Sequence, residues 1–600
     1  MSTRTEARSL PGQAASPHAA RLGPNRGVRL PLPHLSLLAL AGAACWAVVD
    51  LRINLATLID GFHNAVAFAG RMLPLDFPPA ADLVRLAGET LSMALCATLL
   101  SLLLSIPVSL LAARNLTPNR YLSGAARSLI VLARAVPDII LAIAAVRVFG
   151  LGATAGIIAM GLHSVGMVGK LYADALEETH DAPRRALRSA GASFPQELAS
   201  AVLPQVLPSF IATALHRLDV NLRSSVLLGF VGVGGLGYEI AQSFQRLDYR
   251  RGMALAAVVL LLCLLMELLS GTIRRTLLRT PHPRTRRKPE TPAGVTATEA
   301  SAGTGAGTGT GLGAGAGAGL GSGAAPNKVS NNQMARRASP PPTTPPWTAA
   351  RLRRWAYGTI TAAVLIAAVR GAELSPHQLL TGLGQLPTVL GQYLPPTAPG
   401  GMAGLLDALW VTVKTALAGT LLGMVLALPV GVLAAHNVSP WPRLSPAFRT
   451  LTVAIRGIPE IVLAIVLVVI TGLGPVAGAL ALAVGSLGFL GKLTADSLEE
   501  LHPGPSRALA ATGASRRQVF FAADFPRVLP ALLGHVLYQL DVNIRSAALL
   551  GVVGAGGIGF ELLNAARVLE YGLVTTTVLL LLATTLLLEA FSSWTRHTFT

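Results

Sequence analysis

Charge is scarce in this chain, and acidic charge is scarcest. Of its 600 residues 13% are Asp, Glu, Lys or Arg, with 29 acidic against 48 basic. A soluble domain needs about 25% charged residues to cover its surface, so an ordinary soluble fold is excluded. Cysteine is nearly absent. Cys45, Cys96 and Cys263 each sit inside an apolar run as small hydrophobes, which excludes a disulfide framework. No His/Cys/Asp/Glu cluster has metal-ligand spacing and no nucleophile–base pair stands out, so no metal site, catalytic residue or enzymatic chemistry is expected.

Long apolar runs are what the chain has in excess. Hydrophobic residues make up 52% of it, in stretches such as "MALAAVVLLLCLLM" (253–266) and "VTTTVLLLLATTLLL" (574–588). About 20 apolar residues cross a hydrocarbon layer of ~30 Å, so the chain reads as an all-α polytopic membrane protein. The formal net charge of +19 would suit nucleic acid. Its cations lie instead in the N-terminal tail, a central linker and short loops between apolar runs, the pattern of cytoplasmic loops. The expected partner is the lipid bilayer, and no nucleic acid. Ala41-Gly42-Ala43 resembles a signal cleavage site, but a similar apolar run at 356–369, after "RLRRW", is internal. Both runs read as uncleaved membrane helices.

The chain is written twice. "LAARNLTP" at 111 answers "LAAHNVSP" at 433, "GKLYADALEE" at 169 answers "GKLTADSLEE" at 491, and "LDVNLRSSVLLGFVGVGGLGYE" at 218 answers "LDVNIRSAALLGVVGAGGIGFE" at 540, each pair 322 residues apart. Glu267 and Glu589 keep the same offset. A constant offset means two equivalent domains. The expected divisions are a disordered cytoplasmic tail at 1–30, a first domain at 31–280, a Gly/Ala/Pro-rich cytoplasmic linker at 281–350 and a second domain at 351–600. The linker's composition cannot build a core.

Apolar segments of the first domain lie near 34–52, 88–113, 125–149, 151–169, 207–231 and 253–272. Arg21, Arg26 and Arg29 precede them, Arg114, Arg120 and Arg127 follow the second, Lys170, Arg184, Arg185 and Arg188 the fourth, and Arg274, Arg275 and Arg279 the sixth. These are alternate loops on one side. Six spans per domain place both termini in the cytoplasm and make the repeats parallel.

The loop 170–206 is too polar to span and too regular for a tether. A short helix at 184–190 ends at Gly191, and Ser193 with Gln196 spells a capping box opening a second helix. Gly513, Ser515 and Gln518 repeat the plan in 492–528. Two polar-faced helices hinged at glycine make a docking element.

This loop resembles the coupling loop of ABC-importer permeases, E-A-A-x-x-x-G, nine residues, then I-x-L-P. Ala186, Gly191, Leu203 and Pro204 match it, as do Ala508, Gly513 and Pro526. With "LAARN", "GKLYADALEE", "VLPQVLPSF" and the 218–239 segment, the chain resembles the phosphonate-type importer permease over 80–275 and 402–597. The resemblance implies the type I permease fold in two tandem copies of about six helices. It also implies a cytoplasmic ABC ATPase dimer that consumes ATP, an extracytoplasmic substrate-binding protein, and no cofactor in this chain. The motif's glutamate is replaced by Arg185 and Arg507, and its second alanine by Leu187 and Leu509. The implied ATPase then carries a compensating acidic residue.

"GVGGLG" at 232–237 and "GAGGIG" at 554–559 fit the dinucleotide pattern G-x-G-x-x-G. That motif needs a preceding strand and a βαβ unit, and here it follows an apolar span. Gly232, Gly235, Gly237, Gly554, Gly557 and Gly559 therefore read either as a hinge at the outer mouth or as plain helix ends.

Ionisable groups at membrane depth point to function. Asp219, Asn221 and Arg223 lie in the fifth span, answered by Asp541, Asn543 and Arg545; Arg134 before Pro137 lies in the third, answered by Arg456 before Pro459. The pairs Asp219/Arg223 and Asp541/Arg545, four apart, either lock their helix or turn an arginine to an anion pathway. Arg134 and Arg456 read either as pathway groups or as snorkelling residues at a proline kink. His163, His216 and Arg217 are set aside because the second copy has Gly485, Tyr538 and Gln539.

The expected function is the membrane permease of an ATP-driven importer of phosphonates or related oxyanions, in the cell membrane. Other readings are the same machine with phosphate, phosphite or an organic cation, or an ion-driven secondary transporter.

Overall fold

A computed structural model describes residues 32–53, 66–67, 70–117, 119–277, 349–441 and 443–599. The expected tail 1–30 and nearly all of the expected linker, with Arg21, Arg26, Arg29 and Arg279, lie outside the described residues. Helices account for the regular structure among the described residues. The first repeat contributes α1 (Leu32–Asp50), α2 (Ala80–Ala112), α3 (Arg120–Ala135), α4 (Asp138–Phe149), α5 (Ala153–Glu177), α6 (Asp181–Ser189), α7 (Phe194–Gly229), α8 (Gly235–Gln245) and α9 (Tyr249–Leu277). The second contributes α10 (Ala349–Gly371), α11 (Pro376–Gln392), α12 (Met402–Ala434), α13 (Ser445–Gly457), α14 (Glu460–Thr471), α15 (Pro475–Glu499), α16 (Gly504–Ala511), α17 (516–550), α18 (Ile558–Arg567) and α19 (Tyr571–Phe599).

Eight of these helices are long and apolar enough to cross a membrane, ten if each bent pair counts as one span; two shorter apolar helices begin the repeats. With each bent pair taken as one span, five such spans fall in each repeat, and one shorter apolar helix precedes each set. One expectation needs correcting. The run 125–149 is continuous in hydropathy, yet it folds as two helices, α3 and α4, bent by 88°. Its counterpart, α13 and α14, is bent by 84°. Proline supplies the reason: Pro137 and Pro459 cannot donate to the ladder, and they push Val136 and Ile458 into extended backbone.

Small residues let the long helices close on one another. Gly419, Gly423 and Gly431 of α12 face Leu482, Ser486 and Thr494 of α15. The first repeat uses Ala97, Ser101 and Ser109 at those positions, all fully buried. At the ends of α2 and α12 the repeated "LAARN" and "LAAHN" segments gain a physical role. Asn115 donates to the Leu176 carbonyl and Asn437 to that of Leu498, both at 2.7 Å. Backbone N–H groups of Arg114 and His436 donate to Glu177 and Glu499.

The repeats exchange their first helices. Trp46 of α1 stacks on Trp410 of α12 at 5.9 Å, and Lys414 pairs with Asp50 at 2.6 Å. In return Ala368 and Ala372 join a buried cluster with Met93 and Ile139, and Gly382 of α11 lies against Phe149.

The glycine segments make a tight reversal. Gly232, Gly234 and Gly235 take φ of +92°, +100° and +69°, and Gly554, Gly556 and Gly557 repeat this. α8 and α18 then fold back on α7 and α17. The N–H of Leu236 donates to Thr90 Oγ1, and that of Ile558 to Thr412 Oγ1, both at 2.9 Å.

Candidate functional site

A break in a buried helix strands carbonyl groups, and each needs a donor. At the α3–α4 and α13–α14 bends the donors come from the other repeat. Arg545 Nη1 of α17 donates to the Arg134 carbonyl at 3.2 Å, and Arg223 Nη1 of α7 donates to the Arg456 carbonyl at 3.0 Å. The side chains of those bend residues reach across in turn. Arg134 pairs with Glu589 at 3.0 Å, and Arg456 lies 3.6 Å from both Asp219 and Glu267. Arg223 also binds Asp219 of its own helix and lies 3.9 Å from Glu267; Arg545 binds Asp541 at 2.6 Å.

This crossed arrangement surrounds a cavity of about 430 Å³ between the repeats. Arg134, Arg217, Arg223, Arg456, Lys170 and Glu460 line it, among apolar walls that include Val220, Leu227, Ile461 and Leu549. Guanidinium groups in such a desolvated space act more strongly than in water.

The expected pathway residues divide here. Arg134, Arg223 and Arg456 line the cavity, and Arg545 reaches its rim at Arg134. Asp219 and Asp541 are buried beneath their arginines. Asn221 and Asn543 do not face the cavity. Both are fully buried ties between helices: Asn221 donates to Thr98 Oγ1 at 2.9 Å and accepts from Ser164 Oγ at 3.0 Å, and Asn543 donates to Thr420 Oγ1 at 2.8 Å. None of the glycines of 232–237 or 554–559 lines the cavity.

Sequence reasoning passed over Arg217, Glu267 and Glu589. The two glutamates at matched offset sit in otherwise apolar runs, and that alone marked them. Arg217 differs from its counterpart Gln539, and no repeat argument could find it.

The polar loops present their motif residues outward. Arg185, Ala186, Gly191, Leu203, Pro204, Arg507, Ala508, Gly513 and Pro526 are all exposed. Gly191 takes φ +83°, its N–H donates to the Arg188 carbonyl, and that of Ala192 donates to the Leu187 carbonyl, completing a Schellman cap. Both capping boxes, Ser193/Gln196 and Ser515/Gln518, form. Beneath the surface, buried Glu197 receives Arg188 through two bonds of 2.8 Å, which hold that guanidinium above its ordinary pKa. The expected second polar helix is instead the start of α7. Pro204 and Pro208 remove two donors, and one wide turn at 198–202 absorbs the change so that the helix runs on into the span. The turn 520–524 does the same in α17.

Residues 105–279 and 427–597 both match the family described as binding-protein-dependent transport system inner membrane component. The chain belongs to this family. As such a component it is 36% identical, over 539 residues and 90% of each chain, to the phosphate-import permease protein PhnE of Mycolicibacterium smegmatis. It is 39% identical over 232 residues, 39% of this chain and 84% of the other, to the phosphite transport system permease protein PtxC of Stutzerimonas stutzeri. An inward-facing structure of the MetNI methionine ABC transporter aligns with 26% identity and a TM-score of 0.32, covering 34% of this chain and all of that one. The family places this double permease in the inner membrane as a multi-pass component, and its relatives are transport components.

Proposed function

We propose that this inner membrane component passes phosphorus oxyanions, phosphonates or phosphate, through the cavity between its repeats. An extracytoplasmic binding protein delivers the anion. A cytoplasmic ATPase dimer, docked on 170–206 and 492–528 with both termini on the same side, consumes the ATP. The observation that carries this reading is the set of arginines on the cavity wall. A guanidinium is a planar fork matched to the oxygens of a tetrahedral anion, and it repels an organic cation. Phosphate and phosphite in the relatives' names support the same class. The duplicated, exposed loops favour an ATP-driven machine over an ion-driven carrier.

Source cells will take up labelled phosphate, methylphosphonate or 2-aminoethylphosphonate in an ATP-dependent way, and deletion of this gene will abolish that uptake. Unchanged uptake, with the gene expressed and no redundant system, overturns the substrate class.

Arg185→Glu with Arg507→Glu will weaken association with the ATPase by about tenfold or more, because like charges then face one another across the contact. Pull-down of the ATPase from detergent extracts checks this. Reversing the facing acidic residues of the ATPase will restore binding.

A further inference from the structure

The two repeats do not furnish the cavity equally. Arg217 of α7 lines it, and the matching position of α17 is Gln539. Both side chains are buried, 5% and 3% exposed. The polar frame around them is shared. Gln539 Nε2 donates to Ser486 Oγ at 3.1 Å and to Asn543 Oδ1 at 2.8 Å. Arg217 Nε donates to Ser164 Oγ at 2.6 Å, and Ser164 passes the chain on to Asn221 and Thr98. The frame is neutral in the second repeat and carries a full positive charge in the first.

That charge lacks an ion pair. Arg134, Arg223 and Arg456 each have a carboxylate partner. Among the described residues no salt bridge joins Arg217. Asp138 acts on it from beyond ion-pair distance, is itself bound to the Ile139 N–H at 3.0 Å, and acts on half-buried His163 as well. A hydroxyl such as Ser164 supplies a dipole, not a counter-charge. A buried, unpaired cation is costly and is kept at membrane depth for function.

We propose that Arg217 is a one-sided anion subsite of the cavity, the group with which the phosphorus oxyanion pairs in transit. With Nε committed to Ser164, the Nη hydrogens are the donors offered to the anion's oxygens. Gln539 adds no charge from the second repeat. The anion is therefore held by one uncompensated guanidinium, loosely enough to leave. This inference rests on the phosphorus-oxyanion reading above.

The test reconstitutes the full chain in proteoliposomes with its ATPase and binding protein, using labelled inorganic phosphate and 2-aminoethylphosphonate as probes. Arg217→Gln, which copies the second repeat, is expected to lower uptake about tenfold or more, the size of a lost hydrogen bond to a charged group. Arg217→Lys is expected to stay within about threefold of wild type, since it keeps the charge but not the fork. Uptake by Arg217→Gln equal to wild type overturns the subsite. So does Arg217→Lys as inactive as Arg217→Gln, which makes the residue structural. Wild-type vesicles that move neither probe overturn the oxyanion reading and the subsite with it. If Arg217→Gln is not recovered from the membrane, Arg217→Met, which keeps the apolar stem, is judged by the same limits.

Discussion

Gly559→Ala will prevent the second repeat from reaching its native packing. A Cβ built on Gly559 lies 2.7 Å from the carbonyl carbon of Ala548 and nearer still to its oxygen. The first repeat has the same constraint, with a Cβ on Gly237 lying 2.7 Å from the Cα of Val226. These neighbours are backbone atoms of the helix against which α18 or α8 folds back, so no side-chain rotation relieves the overlap. Ordinary overpacking costs about 1–3 kcal/mol, and a collision with fixed backbone exceeds that. Gly534 in α17 is the control, since a Cβ there meets nothing within 4 Å. Gly534→Ala should be neutral or slightly stabilising through helix propensity, by up to about 1 kcal/mol. The measurement is recovery of monodisperse protein after detergent extraction, followed by a thermal melt. Equal recovery and melting of Gly559→Ala and Gly534→Ala would remove the packing argument.

Asp219→Ala will destabilise the protein by about 3–5 kcal/mol, the cost of stripping one partner from a buried ion pair. Asp219 is 2% exposed and serves two guanidinium groups, Arg223 of its own helix and Arg456 of the other repeat. Its loss leaves Glu267 to face both. Among the described residues Asp541 forms an ion pair with Arg545 alone, so Asp541→Ala should cost less and leave most of the contact between the repeats in place. A double-mutant cycle between Asp219 and Arg456 should show a coupling of at least about 0.5 kcal/mol, as residues in one network do. The midpoint of unfolding of the solubilised chain reads both effects. An Asp219→Ala midpoint equal to wild type, or additive single and double mutants, would show that the crossed ion pairs contribute nothing to the join.

The reach of sequence reasoning follows from what each signal encodes. Hydropathy and the 322-residue offset are one-dimensional, and they sufficed for two matched sets of about six apolar segments. The bend at Pro137 was legible as a proline and illegible as a right angle, because its direction depends on Arg545 meeting a stranded carbonyl from the other repeat. Asn221 and Arg223 are two residues apart on one helix, so which of them faces the cavity is decided by the neighbours α2 and α5 rather than by α7 itself. Arg217 illustrates a different limit. Comparison of the repeats rewards sameness, and a site built from their difference is filtered out by the method that finds everything else.

The exchange of first helices has a consequence for how the molecule is assembled. Each repeat completes its wall with a piece of the other: Trp46 and Asp50 close on α12, while Ala368 and Gly382 close on the first repeat. A repeat synthesised alone would bare that seam to lipid and would find its cheapest partner in another copy of itself. Two copies of the first repeat would then bring Arg217 to both sides of one cavity, and two copies of the second would bring none. Joining the repeats in one chain fixes the stoichiometry at one of each, so covalent continuity here sets the charge of the cavity as well as the number of subunits.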